Sequence, residues 1–223
     1  MNFIVCGHWA TIVRMTNVIL TIAAIFVVLV GSEIFWRQQK VHRELSRKFI
    51  HLTVGTFVAF WPFFLSWNTI KFLSVAFLVV IVVSKYLNIF QAIHSVQRPT
   101  WGEIFFALVV GVLAFVTHDK WIYAAALLQM SLADGMAAVV GTYFGRNHRY
   151  HVLGHIKSIP GTIAFFVISL GILALYSGHS GTHLMLPTML AVSLCATLLE
   201  NFAIHGFDNL LVPLLVAVAL GLH

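Results

Sequence analysis

The sequence predicts an all-α, polytopic membrane protein of about eight transmembrane helices, folded as a single domain over residues 1–223. Two observations predict it. The chain is 60% hydrophobic and only 9% charged, with a mean hydropathy of +0.95, whereas soluble domains average about 45–50% apolar and 25% charged residues. The apolar residues also fall in runs approaching the length of a bilayer core, parted by short polar stretches. Too little polar sequence is left for a separate soluble domain. The first long apolar run is followed by several more, so it reads as a membrane span rather than a cleavable signal. Cys6 and Cys195 lie in or near apolar sequence and suggest neither a disulfide framework nor a metal site.

Residues 1–17 are short and weakly amphipathic, and no element is assigned to them. The first span covers about 18–36 and is followed by R-Q-Q-K-V-H-R-E-L-S-R-K, the densest charge run in the chain. The second span is expected at 49–65 and the third at 70–87. A polar stretch, 88–103, contains Arg98, Thr100 and Gly102. The fourth span, 104–117, turns at His118-Asp119-Lys120 into a fifth that carries Asp134. A basic loop with Arg146, Arg149 and Lys157 then reaches a Ser-Ile-Pro-Gly-Thr turn, where Pro160 suits a helix start. The sixth span is expected at 162–176 and the seventh at 184–199, ending at Glu200. The loop N-F-A-I-H-G-F-D-N leads to the eighth, 210–222. No internal repeat is visible.

A net charge of +6 and a pI near 9.6 are compatible with nucleic-acid binding, but the placement of the charges points to membrane topology instead. If the loop after the first span is cytoplasmic, ten of the thirteen Lys and Arg lie in cytoplasmic segments (37–49, 84–103 and 144–161), and three lie on the other side. The positive-inside rule then sets the orientation. Asp134, Glu200, Asp208 and the Arg98 loop come to the cytoplasmic face, where nucleoside triphosphates and Mg²⁺ are found.

The stretch that carries chemistry runs from Asp134 to Thr162. Asp134 follows Trp121 by thirteen residues, which at the rise of an α-helix is roughly 20 Å into an apolar segment. An acid at that depth is a functional candidate by default. Asp134, Ala138, Gly141 and Gly145 share one helix face, and every member after the acid is small. Such a face serves either close helix–helix packing or the approach of a ligand to bare backbone. An acid, a bare face and a cationic loop together are what phosphoryl transfer requires: a carboxylate for Mg²⁺ and positive charge for phosphates.

The pattern D-x-x-A-x-x-x-G-x-x-x-G, a basic loop, then K-[ST]-x-x-G-[ST] is met by Asp134, Ala137, Gly141, Gly145, Lys157, Ser158, Gly161 and Thr162. It resembles the nucleotide-binding signature of the CTP-dependent polyprenol kinases, the membrane family of dolichol kinase, phytol kinase and the yeast-type diacylglycerol kinase. Three further stretches carry the resemblance. Arg47-Lys48-x-x-His51 is similar to an R-K-x-x-H element at the start of a span, with Arg47 and Lys48 facing phosphates; a salt-bridged interfacial turn through Glu44 and Lys48 is the alternative. Arg98-Pro-Thr100-Trp-Gly102-Glu103 looks like R-x-[ST]-x-G-E, or an ordinary interfacial turn. Glu200…Gly206-Phe-Asp208-Asn209-x-x-x-Pro213 resembles the closing E…G-x-D-N-x-x-x-P, where Asp208 and Asn209 offer oxygens to a cation or cap the last helix.

The resemblance implies a lipid-alcohol kinase with CTP as donor and Mg²⁺ as cofactor. It implies Asp134, Asp208 and Glu200 as metal ligands, and Lys157, Arg47 and Lys48 as phosphate neutralisers. Gly141, Gly145, Ser158, Gly161, Thr162, Arg98 and Asn209 would line the nucleotide. A prenol, polyprenol or diacylglycerol would enter from the surrounding membrane lipids. No nucleic-acid partner is expected, and the sequence carries no signal of oligomeric state. A phosphatidate cytidylyltransferase is the nearest alternative, but His205-Gly206-Phe207-Asp208-Asn209 is shorter than its closing His-Gly-Gly element and lacks the Asp-Arg pair. A small ion-coupled transporter using Asp134 would favour inverted repeats. His148, His151 and His155 are spaced for a metal but have no Cys or carboxylate beside them in sequence.

Overall fold

A computed structural model describes residues 15–28, 30–31, 43–87 and 101–222, without the side chains of 43–47 and 85–86. Its helices are α1 (Met15–Val28), α2 (Arg43–Ala59), α3 (Trp67–Leu87), α4 (Gly102–Val116), α5 (Lys120–Leu128), α6 (Asp134–Phe144), α7 (Ile159–His179), α8 (Leu186–Phe202) and α9 (Asp208–Gly221). A π-helical turn, Gln129–Ala133, joins α5 to α6 without a break, so the described residues form eight helical rods. Among the described residues, three stretches are long and apolar enough to cross a membrane: Trp67–Ser84, Lys120–Phe144 and Ile159–His179.

Local signals explain the helix ends. Asp119 caps α5 by accepting the backbone N–H groups of Trp121 at 2.7 Å and Ile122 at 3.1 Å. Ser158 caps α7 in the same way, accepting from Gly161 N, with Pro160 in the first turn. The second expected span, 49–65, is shifted: α2 already begins at Arg43 and stops at Ala59, and Trp61–Phe63 forms a 3₁₀ turn. Pro62 explains the stop, because its ring has no N–H to give and disfavours helix in the preceding residue. The first expected span, 18–36, overlaps α1, and its end lies outside the described residues.

The rod Lys120–Phe144 is the centre of the bundle. Over an 18-residue apolar stretch of this rod 61% of the residues are buried, against 28% for Trp67–Ser84 and 33% for an equal stretch of Ile159–His179. Tyr123, Leu127 and Met130 from this rod meet Trp61, Leu113, Phe165 and Val216 in one continuous core. Phe72, Val75, Val79 and Val83 of α3, and Val167 and Leu175 of α7, are exposed. Soluble proteins rarely expose apolar surface on this scale, and these faces suit the hydrocarbon of a bilayer.

The basic loop, for which the sequence predicts no strand, holds a β-hairpin. β1 (Arg149–Val152) pairs antiparallel with β2 (His155–Ser158) in the register Arg149 to Ser158, Tyr150 to Lys157, His151 to Ile156 and Val152 to His155. Leu153 and Gly154 make a two-residue connection with φ of 46° and 80°, the left-handed pair that such tight hairpins need. Glycine adopts it freely, while Leu153 does so at a cost of about 1–2 kcal/mol.

Candidate active site

Asp134 lies directly after the π-helical turn, on the central rod. π turns inside α-helices are frequent at functional sites because they re-aim side chains and disturb the backbone ladder. Here the Met130 carbonyl receives His51 Nε2 of α2 at 3.2 Å. A carbonyl only accepts, so His51 carries its proton on Nε2 in this contact. One turn before it, Lys48 Nζ donates to both Asp134 carboxylate oxygens, at 2.7 and 2.5 Å. The side chains are 17% and 8% exposed, so the pair is largely removed from water. Such a pair adds little net stability, yet removing one member costs about 3–5 kcal/mol through the charge left behind.

A second pair stands beside the first. The Lys157 ammonium donates to the Glu200 carboxylate and, at 3.0 Å, to the Glu200 backbone carbonyl in the last turn of α8. The end of a helix leaves carbonyls unpaired, and a lysine there meets both the lone pairs and the negative end of the helix dipole. Burial works against the Lys157 charge, but the Glu200 carboxylate, with Asp134 and Asp208 behind it, outweighs burial and raises its pKa.

Next to Glu200, Asn201 Oδ1 accepts the Tyr150 hydroxyl at 2.5 Å with the Thr162 oxygen 3.2 Å away, and the Asn201 amide donates to Thr197 O at 2.9 Å. Tyr150 and Thr162 hydroxyls are 2.5 Å apart. Neither Tyr150 nor Asn201 was found from the sequence. Lone polar residues in a basic loop and beside an acid gave no signal until the hairpin register was known.

The small-residue face is filled by the chain itself. A Cβ on Gly141 would stand 2.7 Å from Ser158 Oγ, and one on Gly161 would stand 2.9 Å from Ala137 O and 3.4 Å from Gly141 Cα. Gly145, the residue at the end of α6, is likewise covered by Ser158. Of the two readings of this face, close helix packing is therefore the one present, and it brings the start of α7, with Ser158 and Thr162, up to the central rod.

Asp208 opens α9 with the Asn209 backbone N–H acting on its carboxylate, and Asn209 Nδ2 donates to Gly102 O at 2.9 Å. Trp101 N donates to His205 O at 3.1 Å, so the loop before α9 docks on the start of α4. Gly206 has φ of +90°, and a Cβ there would stand 2.5 Å from Gly102 Cα and 2.6 Å from Gly102 N. Gly206→Ala is expected to lower stability by about 1–3 kcal/mol and to reduce activity through Asp208; an unchanged melting temperature with unchanged activity would show that the contact is dispensable. Arg98, and the side chain of Arg47, lie outside the described residues.

Five charges thus act on one another at one end of the bundle: Lys48, Asp134, Lys157, Glu200 and Asp208. Asp208 forms no ion pair with a basic side chain among the described residues. No three acids or histidines among the described residues are grouped so as to cage a metal ion. Mg²⁺ needs no such cage, since it keeps several waters and takes one or two carboxylates plus substrate phosphates. Asp134 and Asp208 supply hard oxygens of that kind, so the residues present fit the ion.

The chain is 32% identical over 195 residues to a phytol kinase of Synechocystis sp., covering 84% of this chain and 82% of that protein. It belongs to the polyprenol and phytol kinase family. Other relatives in the family are a chloroplastic phytol kinase of Arabidopsis thaliana, 27% identical over 219 residues, and a probable chloroplastic phytol kinase of Triticum aestivum, 28% identical over 199. Those matches cover 87% and 78% of this chain, and 71% and 65% of the relatives. No protein-family model and no solved structure matches the chain. Among the described residues, Lys48, Asp134, Lys157, Glu200 and Asp208, which resemble positions of the family's motifs and are scattered in sequence, come within electrostatic reach of one another at one end of the bundle.

Proposed function

We propose that the protein transfers a phosphoryl group from a nucleoside triphosphate, CTP by family resemblance, to the hydroxyl of a membrane prenol of the phytol or polyprenol type. The observation that carries this reading is the pairing of two lysines with carboxylates beside a third acid, Asp208. An incoming triphosphate competes for both ammonium groups. Lys48 then turns from Asp134, and Lys157 from Glu200, toward phosphate oxygens, which frees carboxylates at the same point. Asp134 and Asp208, with Glu200 beside them, would hold Mg²⁺, which when bound supplies charge neutralisation across the phosphates. The alcohol oxygen bonds to the terminal phosphorus, the bond to the nucleoside diphosphate breaks, and the alcohol proton passes to a carboxylate of this cluster. Gly141, Gly145 and Gly161 serve by bringing Ser158 and Thr162 close to this centre.

The test uses protein purified into phosphatidylcholine nanodiscs, each terminally labelled triphosphate in turn, and phytol, a polyprenol and diacylglycerol as acceptors. Label is expected in a prenyl phosphate, with nucleoside diphosphate released. Unlabelled lipid, or release of pyrophosphate as a cytidylyltransferase would give, overturns the reading.

The eight rods are read as eight spans with the site on the cytoplasmic face, on the ten-to-three asymmetry of basic residues. In a background lacking Cys6 and Cys195, Gln39→Cys and His151→Cys are expected to label only from the cytoplasmic side, and Ser180→Cys only from outside. Labelling of positions 39 and 151 from opposite sides would remove this topology.

A further inference from the structure

We propose that Tyr150 is a positioning residue for Lys157: its hydroxyl, held by Asn201 and Thr162, clamps the hairpin to α8 and so keeps the Lys157 ammonium at the nucleotide phosphates. The inference rests on the phosphate-binding reading of Lys157. Tyr150 and Lys157 stand directly opposite each other in the hairpin register, and cross-strand neighbours project from the same face. That face, with Val152 and His155, is half-buried, while Arg149, His151 and Ile156 on the other face are exposed. The two side chains reach consecutive residues of α8: Lys157 meets Glu200, and Tyr150 meets Asn201.

Polarity sets the two ties apart. The Asn201 amide is oriented by its donation to Thr197 O at 2.9 Å, so its Oδ1 faces the hydroxyls and the Tyr150 O–H donates to it. That bond is neutral, and phosphate does not compete for it as it does for an ammonium. When Lys157 exchanges Glu200 for a phosphate, the hairpin loses its ionic tie and keeps the tyrosine one. A two-stranded hairpin alone is marginally stable in water, and this one also carries Leu153 at a positive φ. Tyr150 is thus the contact that maintains the position of Lys157 during the exchange.

Tyr150→Phe keeps the ring and removes the tie. The expected result is a nucleotide KM raised about tenfold, the scale of one net hydrogen bond, with the lipid KM unchanged. In a Lys157→Ala background the same change is expected to do nothing further, because the two residues act as one unit. A shifted lipid KM, or effects that add, would indicate a structural role and overturn the proposal. A second measurement needs no turnover: acylation of Lys157 by an amine-reactive reagent without nucleotide, followed by mass spectrometry, is expected to be several-fold faster in Tyr150→Phe. Equal rates overturn the clamp whatever the activity. Faster acylation in a protein whose parent binds no nucleotide would support the clamp and refute the phosphate role of Lys157.

Discussion

Asp134→Asn is expected to fold and to lose phosphoryl transfer by roughly three orders of magnitude or more, the scale on which single charged groups act in this chemistry. Read as an isolated intramembrane acid, Asp134 would leave stability unchanged or raised on neutralisation. The pairing with Lys48 reverses that expectation. Asparagine cannot balance the ammonium, and a buried charge deprived of its partner costs about 3–5 kcal/mol. Lys48 is 17% exposed and has Asp208 within electrostatic reach, so the loss is expected toward or below the lower end of that range. A Lys48→Met, Asp134→Asn double variant should recover most of the melting temperature, since it removes both charges, and should stay inactive. Measuring melting and turnover on the same preparations checks this. Recovery of activity with the stability of the double variant would show that the pair only holds the fold.

Lys157→Ala is expected to weaken nucleotide binding by about 1.5–3 kcal/mol, roughly 10- to 150-fold, as for a hydrogen bond to a charged group. It also strands Glu200, whose side chain is 7% exposed, so the protein should melt lower. Glu200→Gln in the same chain should restore the melting temperature without restoring affinity, which separates the two roles. The pH dependence follows from the raised pKa. Lys157 holds its proton more tightly folded than unfolded, so wherever the Glu200 carboxylate is ionised the pair is fully present below the ordinary lysine value of 10.5, and on the basic side its contribution fades only as pH climbs through the raised value. Nucleotide affinity should therefore show no lysine limb between pH 6 and 9. Equilibrium binding across that range checks it, and a drop between pH 8 and 9 that Lys157→Ala abolishes would refute the assignment.

Hydropathy and motif residues suffice for the helical membrane class, the order of the rods and the family. Hydropathy and helical period are properties of neighbours in the chain, so α3 and the rod carrying Asp134 were expected close to where they form, and the glycine-spaced signature could be recognised before any fold was known. Its ambiguity between packing face and ligand face was also legible, but not its outcome, because only the folded chain shows Ser158 occupying the space over Gly141 and Gly145. The hairpin is not legible in sequence because four-residue strands rich in Arg and His show no clean alternation until one face is buried. Which lysine meets which acid is a matter of how the helices pack. Lys48 and Asp134 are 86 residues apart, and Lys157 and Glu200 are 43 apart. Partners at such separations are chosen by the loss of water around charges as helices close on one another, and nothing local in the chain encodes that choice.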